Sequence, residues 1–349
     1  MEEKTEGMVT EEKSGEAVGQ RPEPERISEQ KHASAPVTVD VVIPVYKPGA
    51  DFPKLLSRLA AQTCPPGKII IMNTERQYWP EQGYPEIPNL EVHHLAKADF
   101  DHGGTRHQAM SFSNADYVLC MTDDAVPADK KLIESLLAGF SKRGPEGELP
   151  AMVYARQLPK PDCSYTETYT RSFNYPAESR VKTRADLPAL GIKTYFGSNV
   201  CCAYDRKIYL AQGGFIRNTI FNEDMIFAAG AIQAGYAVVY AAEAKVLHSH
   251  NYGCMQQFRR NFDLAVSQAD HPEVFEGLPS EGEGIRLVKK TAAYLLRTGH
   301  FWLLPGLVVK SGFKYLGYRM GRCYRKLPKA AVKLCTMNLA YWERKEKGL

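Results

Sequence analysis

One short apolar run, VTVDVVIPVY at 37–46, constrains the fold of this chain more than any other feature of its sequence. A run of this length that is rich in β-branched residues is typical of a strand buried on both faces of a sheet. Apolar residues then recur at helical spacing in 52–59, and a second apolar run, KIIIMNTE, occupies 68–75. Because parallel strands need a crossover connection, usually a helix, this order predicts a βαβ unit.

The same alternation continues to residue 140. We expect a third strand, a helix, a fourth strand and an amphipathic helix at Leu90–Leu95, Thr105–Ser113, 116–127 and Leu132–Phe140. Residues 37–140 therefore predict a doubly wound α/β half. Ligands of such sheets bind at the carboxyl ends of the strands. The side chains expected to converge there are Tyr46, Asn73–Glu75 and Asp123–Asp124.

The flanking segments are less regular. Residues 145–190 are polar and rich in Tyr and Pro, so we interpret them as irregular functional loops. Order returns with a helix at Phe221–Gly235 and two strands within Ala237–Tyr252. Residues 1–36 are rich in Glu, Lys, Ser, Gly and Pro and have no apolar core, so we predict a disordered leader and no signal peptide.

The charge of the chain is divided very unevenly. The net charge is +4, but residues 285–349 hold 15 Lys and Arg against 2 Asp and Glu, a balance of +13, and the rest of the chain balances at −9. Apolar residues form a stripe at helical spacing through this basic segment, at Val309, Phe313, Leu316, Met320, Cys323 and Leu327. Such a helix can lie in a membrane interface or dock on the folded core, and the two readings are compatible. Nucleic-acid binding is a third option, which no recognised module supports.

Two further classes of protein are disfavoured. The longest apolar run, near Phe301–Val309, is interrupted by Pro305 and Gly306 and is far shorter than the roughly 20 residues that span a bilayer. The eight Cys are scattered with no C-x-x-C pair, which favours buried, reduced thiols in a cytosolic protein over a disulfide framework or a zinc site.

Two acidic pairs carry candidate chemistry. Asp123 and Asp124 end the fourth apolar strand, where they could bind Mg²⁺ or Mn²⁺ or form a solvated turn and helix cap. Glu223 and Asp224 precede a helical segment, where they could complement the helix dipole or supply a general base.

Two further motifs add candidate ligands. His248 and His250 follow a strand and could bind a metal or form a satisfied polar edge. FDHGGTRHQ at 100–108 places two glycines at a helix start beside Arg106, which would suit an anion, although the glycine spacing is not that of a Walker or dinucleotide motif.

The order and spacing of these motifs resemble those of the inverting family-2 glycosyltransferases of the GT-A fold. IIMNTE at 70–75, FDHGGTR at 100–106 and HSHNY at 248–252 resemble the bacterial rhamnosyltransferases of that family. The resemblance covers about residues 37–265. It implies an α/β fold, with a doubly wound, mostly parallel sheet made of a Rossmann-like nucleotide-binding half and an acceptor half. We therefore expect a leader at 1–36, the GT-A domain at 37–265, and a basic amphipathic helical extension at 266–349.

The resemblance also implies roles for individual residues. The nucleoside would be contacted by Pro44, Val45, Tyr46 and Glu75, and the diphosphate by Asp101 and Arg106. Asp124 would bind the metal with Asp123 beside it, and His248, or alternatively His250, would be a further ligand. Asp224 would be the catalytic base with Glu223 as its companion, and the acceptor would face Gly197, Ser198 and Asn199. Two motifs depart from the family pattern: Asn73-Thr74-Glu75 replaces Asp-Asn or Asp-Asp, and Thr105-Arg106-His107 replaces Ala-Arg-Asn.

The implied function is metal-dependent transfer of a sugar, with inversion, from a nucleotide sugar to a hydroxyl of a cell-surface glycan or lipid-linked acceptor. The implied donor is dTDP-rhamnose, with UDP- or GDP-linked sugars as alternatives. We expect a cytoplasmic enzyme that binds the inner face of the plasma membrane through 285–349 and binds no nucleic acid. A nucleotidyltransferase should show a Gly-rich basic loop after the first strand, which Lys47-Pro48-Gly49-Ala50 matches poorly. Asp124, Asp224 and His248 argue against a catalytically silent adaptor.

Overall fold

The computed structural model describes residues 37–87, 89–278 and 281–348. The predicted leader therefore lies outside the described residues. Nine strands form one sheet in the described part of the chain. They are β1 Val39–Val45, β2 Ile69–Thr74, β3 Leu90–Leu95, β4 Tyr117–Met121, β5 Val126–Pro127, β6 Pro150–Leu158, β7 Arg180–Lys182, β8 Cys201–Asp205 and β9 Ala237–Leu247.

Helices connect and cover these strands. They are α1 Asp51–Ala60, α2 His102–Ser111, α3 Leu132–Gly139, α4 Tyr165–Asn174, α5 Leu187–Leu190, α6 Arg206–Ala211, α7 Glu223–Gln233, α8 Cys254–Asp270, α9 Pro272–Phe275, α10 Glu281–Arg297, α11 Leu304–Arg322, α12 Lys329–Cys335 and α13 Leu339–Glu346.

The sheet combines a parallel half with a mixed half. Its order is β3-β2-β1-β4-β8-β6-β9-β5, with β7 paired to β9. The strands β3, β2, β1 and β4 are parallel, whereas β8 is antiparallel to both of its neighbours, β4 and β6. The predicted doubly wound half at 37–140 is therefore confirmed. One apolar cluster covers the α1 and α3 face of the sheet, and another covers the α2, α6 and α7 face.

Two sequence predictions about the second half are wrong. Residues 145–190 are not irregular loops, because they contain β6, α4 and β7. Strand β6 is apolar and buried over most of its length, so burial rather than polar composition decides its structure. Residues Ala237–Leu247 form one strand, not two, although the pairing of β9 with β6 shifts register between Ala155 and Arg156.

The C-terminal helices pack against α8 as well as facing solvent. A third apolar cluster joins Phe258 and Phe262 of α8 to Tyr324, Tyr341 and Trp342. The predicted apolar stripe, which runs through α11 to Leu327, is divided. Phe313, Met320 and Leu327 pack on this cluster, whereas Val309 and Leu316 are more than half exposed. None of the described helices is both long enough and apolar enough to cross a bilayer. The expected boundary at residue 265 stays a prediction, and α8 runs across it from Cys254 to Asp270.

Candidate active site

Three predicted metal ligands meet beyond the ends of β4 and β9. Strand β5 pairs antiparallel with the end of β9, Val126 opposite Leu247, which places Asp124 beside the residues that follow β9. The Asp124 Oδ2 atom lies 3.5 Å from His248 Nε2 and 3.3 Å from His250 Nε2. One ligand atom from each residue lies within 4.8 Å of the others. These distances would let the three side chains hold one metal ion.

The electrostatics of this cluster favour a cation. Burial lowers the pKa of His248 to about 3, so its imidazole is neutral at pH 7. Burial alone would raise the pKa of Asp124, but the two imidazoles and the Thr122 hydroxyl lower it overall. Two neutral imidazoles and a carboxylate suit Mn²⁺ better than Mg²⁺, which prefers oxygen ligands.

Asp123 differs from its neighbour. Burial, together with the adjacent charge of Asp124, raises the pKa of Asp123 to about 6, and a hydrogen bond from the Tyr46 backbone opposes that shift. This hydrogen bond places Asp123 next to Tyr46, a predicted nucleoside residue, and of the two aspartates Asp124 is the one in the three-residue metal cluster.

A second acidic centre lies at the start of α7. Glu223 and Arg106 form a buried ion pair, with 3.1 Å between Oε1 and NH1. Asp224 accepts hydrogen bonds from the backbone N–H groups of Asn199, at 2.9 Å, and Met225, at 2.8 Å. The residue before this pair, Asn222, has a φ of 65°, a left-handed conformation that Asn tolerates better than most residues.

The two carboxylates of this centre are in different states. Burial, and next the negative charge of Glu223, raise the pKa of Asp224 to about 7. Burial also opposes ionisation of Glu223, but the Arg106 guanidinium and then His102 lower its pKa overall. Glu223 therefore remains charged, whereas Asp224 titrates near neutrality, as a general base should.

The segment 197–200 links the two centres. The Thr122 backbone N–H donates to the Val200 carbonyl at 3.2 Å, which joins the segment to the loop that carries Asp124. The buried Asn199 side chain donates to Glu223 Oε1 at 3.0 Å and accepts from the Tyr204 hydroxyl at 2.7 Å. The structure thus places Asn199 as a support for both acidic residues. The expected acceptor contacts of 197–199 stay predictions.

The predicted nucleoside residues lie around an exposed tyrosine. Tyr46 makes an edge-to-face contact with Tyr78, with ring centroids 5.5 Å apart. The ammonium of Lys47 lies 4.6 Å from the Tyr78 ring centroid, and that of Lys97 lies 5.5 Å from the Tyr46 centroid. Glu75 Oε1 accepts from the Lys97 backbone N–H at 2.6 Å. Pro44 and Val45 lie within β1, and the Val45 side chain belongs to the core.

The FDHGGTRHQ motif starts α2. Asp101 caps the helix by accepting from the Gly104 backbone N–H at 2.5 Å. Gly103 is required for packing, because a Cβ atom there would lie 1.9 Å from the Ile216 carbonyl oxygen. The Arg106 guanidinium is 7% exposed and also donates to the His102 carbonyl at 2.9 Å. Its expected contact with a diphosphate stays a prediction.

Sequence reasoning missed several residues around these centres. They are Lys47, Tyr78, Lys97, Gln157, Arg171 and Arg344. Gln157 stands near the end of the apolar run PAMVYARQL, so the strand-end rule that found Asp123 and Glu75 would also have found it. The contact of Arg344 with Asp101 spans 243 residues and leaves no local sequence signal.

The chain is similar to known proteins of one family. The glycosyl transferase family 2 model matches residues 40–211. The O-antigen chain rhamnosyltransferase RfbN of Salmonella typhimurium is 37% identical over 87% of this chain and 96% of its own length. The corresponding WbaN protein of Salmonella anatum is 36% identical over 86% of this chain and 95% of its own length. A solved structure of S. aureus TarS with UDP-GlcNAc matches with a TM-score of 0.45 and 14% identity, over 83% of this chain and 92% of that chain.

Both relatives are at least 36% identical to this chain, which covers nearly all of their own length, so the similarity is sufficient to assign the family. The expected α/β fold of the GT-A type is confirmed, as is the expected transferase activity. The chain belongs to glycosyl transferase family 2.

Proposed function

We propose that this protein transfers rhamnose from dTDP-rhamnose to a hydroxyl of an O-antigen glycan, with inversion at the anomeric carbon. The identity of its two relatives as O-antigen chain rhamnosyltransferases supports the sugar and the product. The single structural observation that carries the reaction type is Asp224, a buried carboxylate with a pKa of about 7, held by the Asn199 backbone.

Asp224 would accept the proton of the acceptor hydroxyl as that oxygen attacks the anomeric carbon. Attack from the face opposite the diphosphate replaces one bond in a single displacement and inverts the configuration. Cys120 near Asp224 is a poor nucleophile, because burial raises the pKa of its thiol to about 12 and keeps it protonated.

Asp124, His248 and His250 would hold a divalent cation, and of Mg²⁺ and Mn²⁺ the latter accepts their two imidazole nitrogens more readily. Such a cation neutralises charge that develops on a leaving diphosphate. Tyr46 and Tyr78 would support the base of the nucleotide, and Lys47 and Lys97 would add positive charge beside it.

The decisive test compares donors and bases together. Purified enzyme with Mn²⁺ should transfer sugar from dTDP-rhamnose, and UDP- and GDP-linked sugars should be poor donors. Asp224→Asn should reduce kcat by about 10²–10⁴-fold, the usual contribution of a general base. Cys120→Ser is a buried control that should keep transfer. Equal use of a UDP- or GDP-linked sugar would contradict the donor assignment, and full activity of Asp224→Asn would contradict the base.

We further propose that the enzyme works at the cytoplasmic face of the membrane, where a lipid-linked acceptor would be presented. Residues 285–349 expose an unusual number of large apolar side chains. They include Ile285, Leu296, Phe301, Trp302, Val308 and Val309, each more than half exposed. Lys289, Lys290, Arg297 and Lys310 lie on the same helices. Aromatic and apolar side chains beside Lys and Arg suit an anionic bilayer surface.

Point substitutions test this surface better than deletion of 285–349, because deletion would also remove Tyr324 and Trp342 from the third apolar cluster. Phe301→Ser with Trp302→Ser should weaken sedimentation with anionic vesicles. Leu210→Ser, which changes a half-exposed side chain of α6, should leave it unchanged. Binding that is unchanged by the double substitution, or equal on neutral vesicles, would contradict the proposal.

A further inference from the structure

The side chain of Gln157 lies between the predicted metal cluster and the 197–200 segment. Gln157 stands near the carboxyl end of β6, beside Val246 of β9, and is 2% exposed. All of its polar contacts are therefore made inside the protein. Its Oε1 atom lies 2.6 Å from Arg171 NH1 and 2.9 Å from His248 Nδ1. Its Nε2 atom lies 2.6 Å from the Tyr175 hydroxyl and 3.0 Å from Ser198 Oγ.

Arg171 fixes the orientation of this amide. A guanidinium can only donate, so the amide atom that faces Arg171 must be the oxygen. Arg171 is itself held by Glu167, with 2.5 Å between NH2 and Oε1, one helical turn earlier in α4. The amide nitrogen then faces two hydroxyl oxygens, Tyr175 and Ser198, both of which accept. If the amide rotated by half a turn, its N–H groups would face those of Arg171, and neither side could accept a hydrogen bond.

The fixed amide in turn fixes the tautomer of His248. Because Gln157 Oε1 can only accept, His248 Nδ1 must carry the proton in their 2.9 Å hydrogen bond. Whenever the ring is neutral, its lone pair therefore lies on Nε2, the atom that faces Asp124 Oδ2 at 3.5 Å. Metal-binding histidines usually donate their other N–H to a fixed oxygen, which orients the ring and its lone pair.

We propose that Gln157 and Arg171 are positioning residues that hold His248 in the tautomer that binds the metal. The Arg171 guanidinium and His248 Nδ1 both donate to Gln157 Oε1. Ser198 ties this amide to the segment that carries Asn199, so the metal cluster and the acidic centre share one support. The effect on metal binding rests on the proposed metal site, whereas the hydrogen bonds that fix the His248 tautomer do not.

The first experiment needs no metal. Long-range ¹H–¹⁵N NMR of histidine-labelled, metal-free protein reports which nitrogen of His248 is protonated, with His248→Gln used to assign the signal. Wild type should show a protonated Nδ1 and an unprotonated Nε2. In Arg171→Met the amide can rotate, and the Nδ1 proton should no longer be fixed. A wild-type His248 protonated on Nε2 would overturn the proposal.

The second experiment measures Mn²⁺ affinity by EPR. Gln157→Leu should weaken binding about 10–100-fold, as is usual when the partner of a metal-binding His is lost. Gln157→Glu keeps an accepting oxygen and should bind within a few-fold of wild type. Tyr175→Phe removes a hydrogen-bond partner of Gln157 Nε2 but leaves Gln157 Oε1 and His248 in place, so it should leave the Mn²⁺ affinity unchanged.

A rescue separates positioning from folding. Arg171→Met should weaken Mn²⁺ binding, and adding Gln157→Glu should restore it, because a carboxylate has no N–H group to turn toward His248. Folded Gln157→Leu that binds Mn²⁺ as tightly as wild type would overturn the proposal. If wild type shows the expected tautomer but binds no Mn²⁺, the proposed metal fails and the positioning of His248 stands.

Discussion

Arg106 of α2 and Glu223 of α7 form an ion pair of 3.1 Å in which both side chains are less than one-tenth exposed. This pair joins the FDHGGTRHQ motif to the acidic centre. It keeps Glu223 charged, and that charge raises the pKa of the adjacent Asp224. The state of the proposed base therefore depends on a residue of α2.

Removing Arg106 alone should destabilise the fold. Arg106→Met leaves the Glu223 charge buried without a cation, which usually costs about 3–5 kcal/mol. Arg106→Met with Glu223→Leu removes both charges and should recover part of that loss. Urea unfolding measures the free energy of unfolding of each variant. Arg286→Met, which breaks an exposed pair with Glu283, is the control and should change it by about 0–1 kcal/mol. If Arg106→Met and Arg286→Met changed the free energy of unfolding equally, the conclusion that the buried ion pair stabilises the fold would be contradicted.

The rate of transfer should rise with pH through the titration of Asp224. A base acts in its deprotonated form, so activity should be low below the pKa of about 7 and should level off above it. Glu223→Gln removes a charge that raises this pKa, so the midpoint of the kcat/KM profile should move to lower pH. Glu243→Gln, on an exposed side chain of β9, should leave the midpoint unchanged. A midpoint that does not move in Glu223→Gln would show that another group is titrating.

The parallel half of the sheet could be predicted from sequence because its strands are buried on both faces. Continuous apolar runs such as VTVDVVIPV and KIIIM leave few alternatives. The second half was harder, because β6 and α4 lie in a segment whose average composition is polar. Their structure depends on tertiary partners such as β8 and β9, which local patterns do not reveal.

In the candidate site, too, local sequence patterns reveal some features, and others depend on tertiary contacts. Asp124, Asp224 and His248 could be found because each lies just beyond a strand or at the start of a helix, where sequence motifs are visible. The contacts that hold these residues in place could not be found in this way. The Gln157 contact with His248 spans 91 residues, and the Asn199 contact with Asp224 spans 25 residues. Only the folded sheet brings these partners together.

Metal dependence should follow the donor atoms of the cluster. Chelation with EDTA should abolish transfer, and Mn²⁺ should restore it at a lower concentration than Mg²⁺ because two of the three ligands are imidazoles. His248→Ala should raise the Mn²⁺ concentration needed for half-maximal rate. His93→Ala, which changes a histidine paired with Glu91, should leave that Mn²⁺ concentration unchanged. Transfer that persists after complete chelation would rule out the metal.

The C-terminal helix α13 should contribute to donor binding. Arg344 donates to the Ala98 carbonyl at 3.1 Å and lies 3.5 Å from Asp101 Oδ2, beside the predicted diphosphate site. Arg344→Met should raise KM for the nucleotide sugar about tenfold, as expected for loss of one hydrogen bond to a charged group, with a smaller change in kcat. Lys347→Met at the exposed end of the same helix is the control. Steady-state kinetics with varied donor would refute this role if both variants matched wild type.

Docking of α11 on α8 should depend on two glycines. A Cβ atom on Gly317 would lie 2.2 Å from the Phe258 carbonyl oxygen, and one on Gly321 would lie 2.3 Å from that of Phe262. Because these contacts are with helix backbone, which cannot rotate away, Gly317→Val must separate the helices and should destabilise the protein by about 1–3 kcal/mol. Gly312→Ala, in the same helix but with open space around it, should stabilise by up to about 1 kcal/mol through helix propensity. Thermal and urea unfolding distinguish the two variants, and a Gly317→Val protein as stable as wild type would contradict the close packing of α11 on α8.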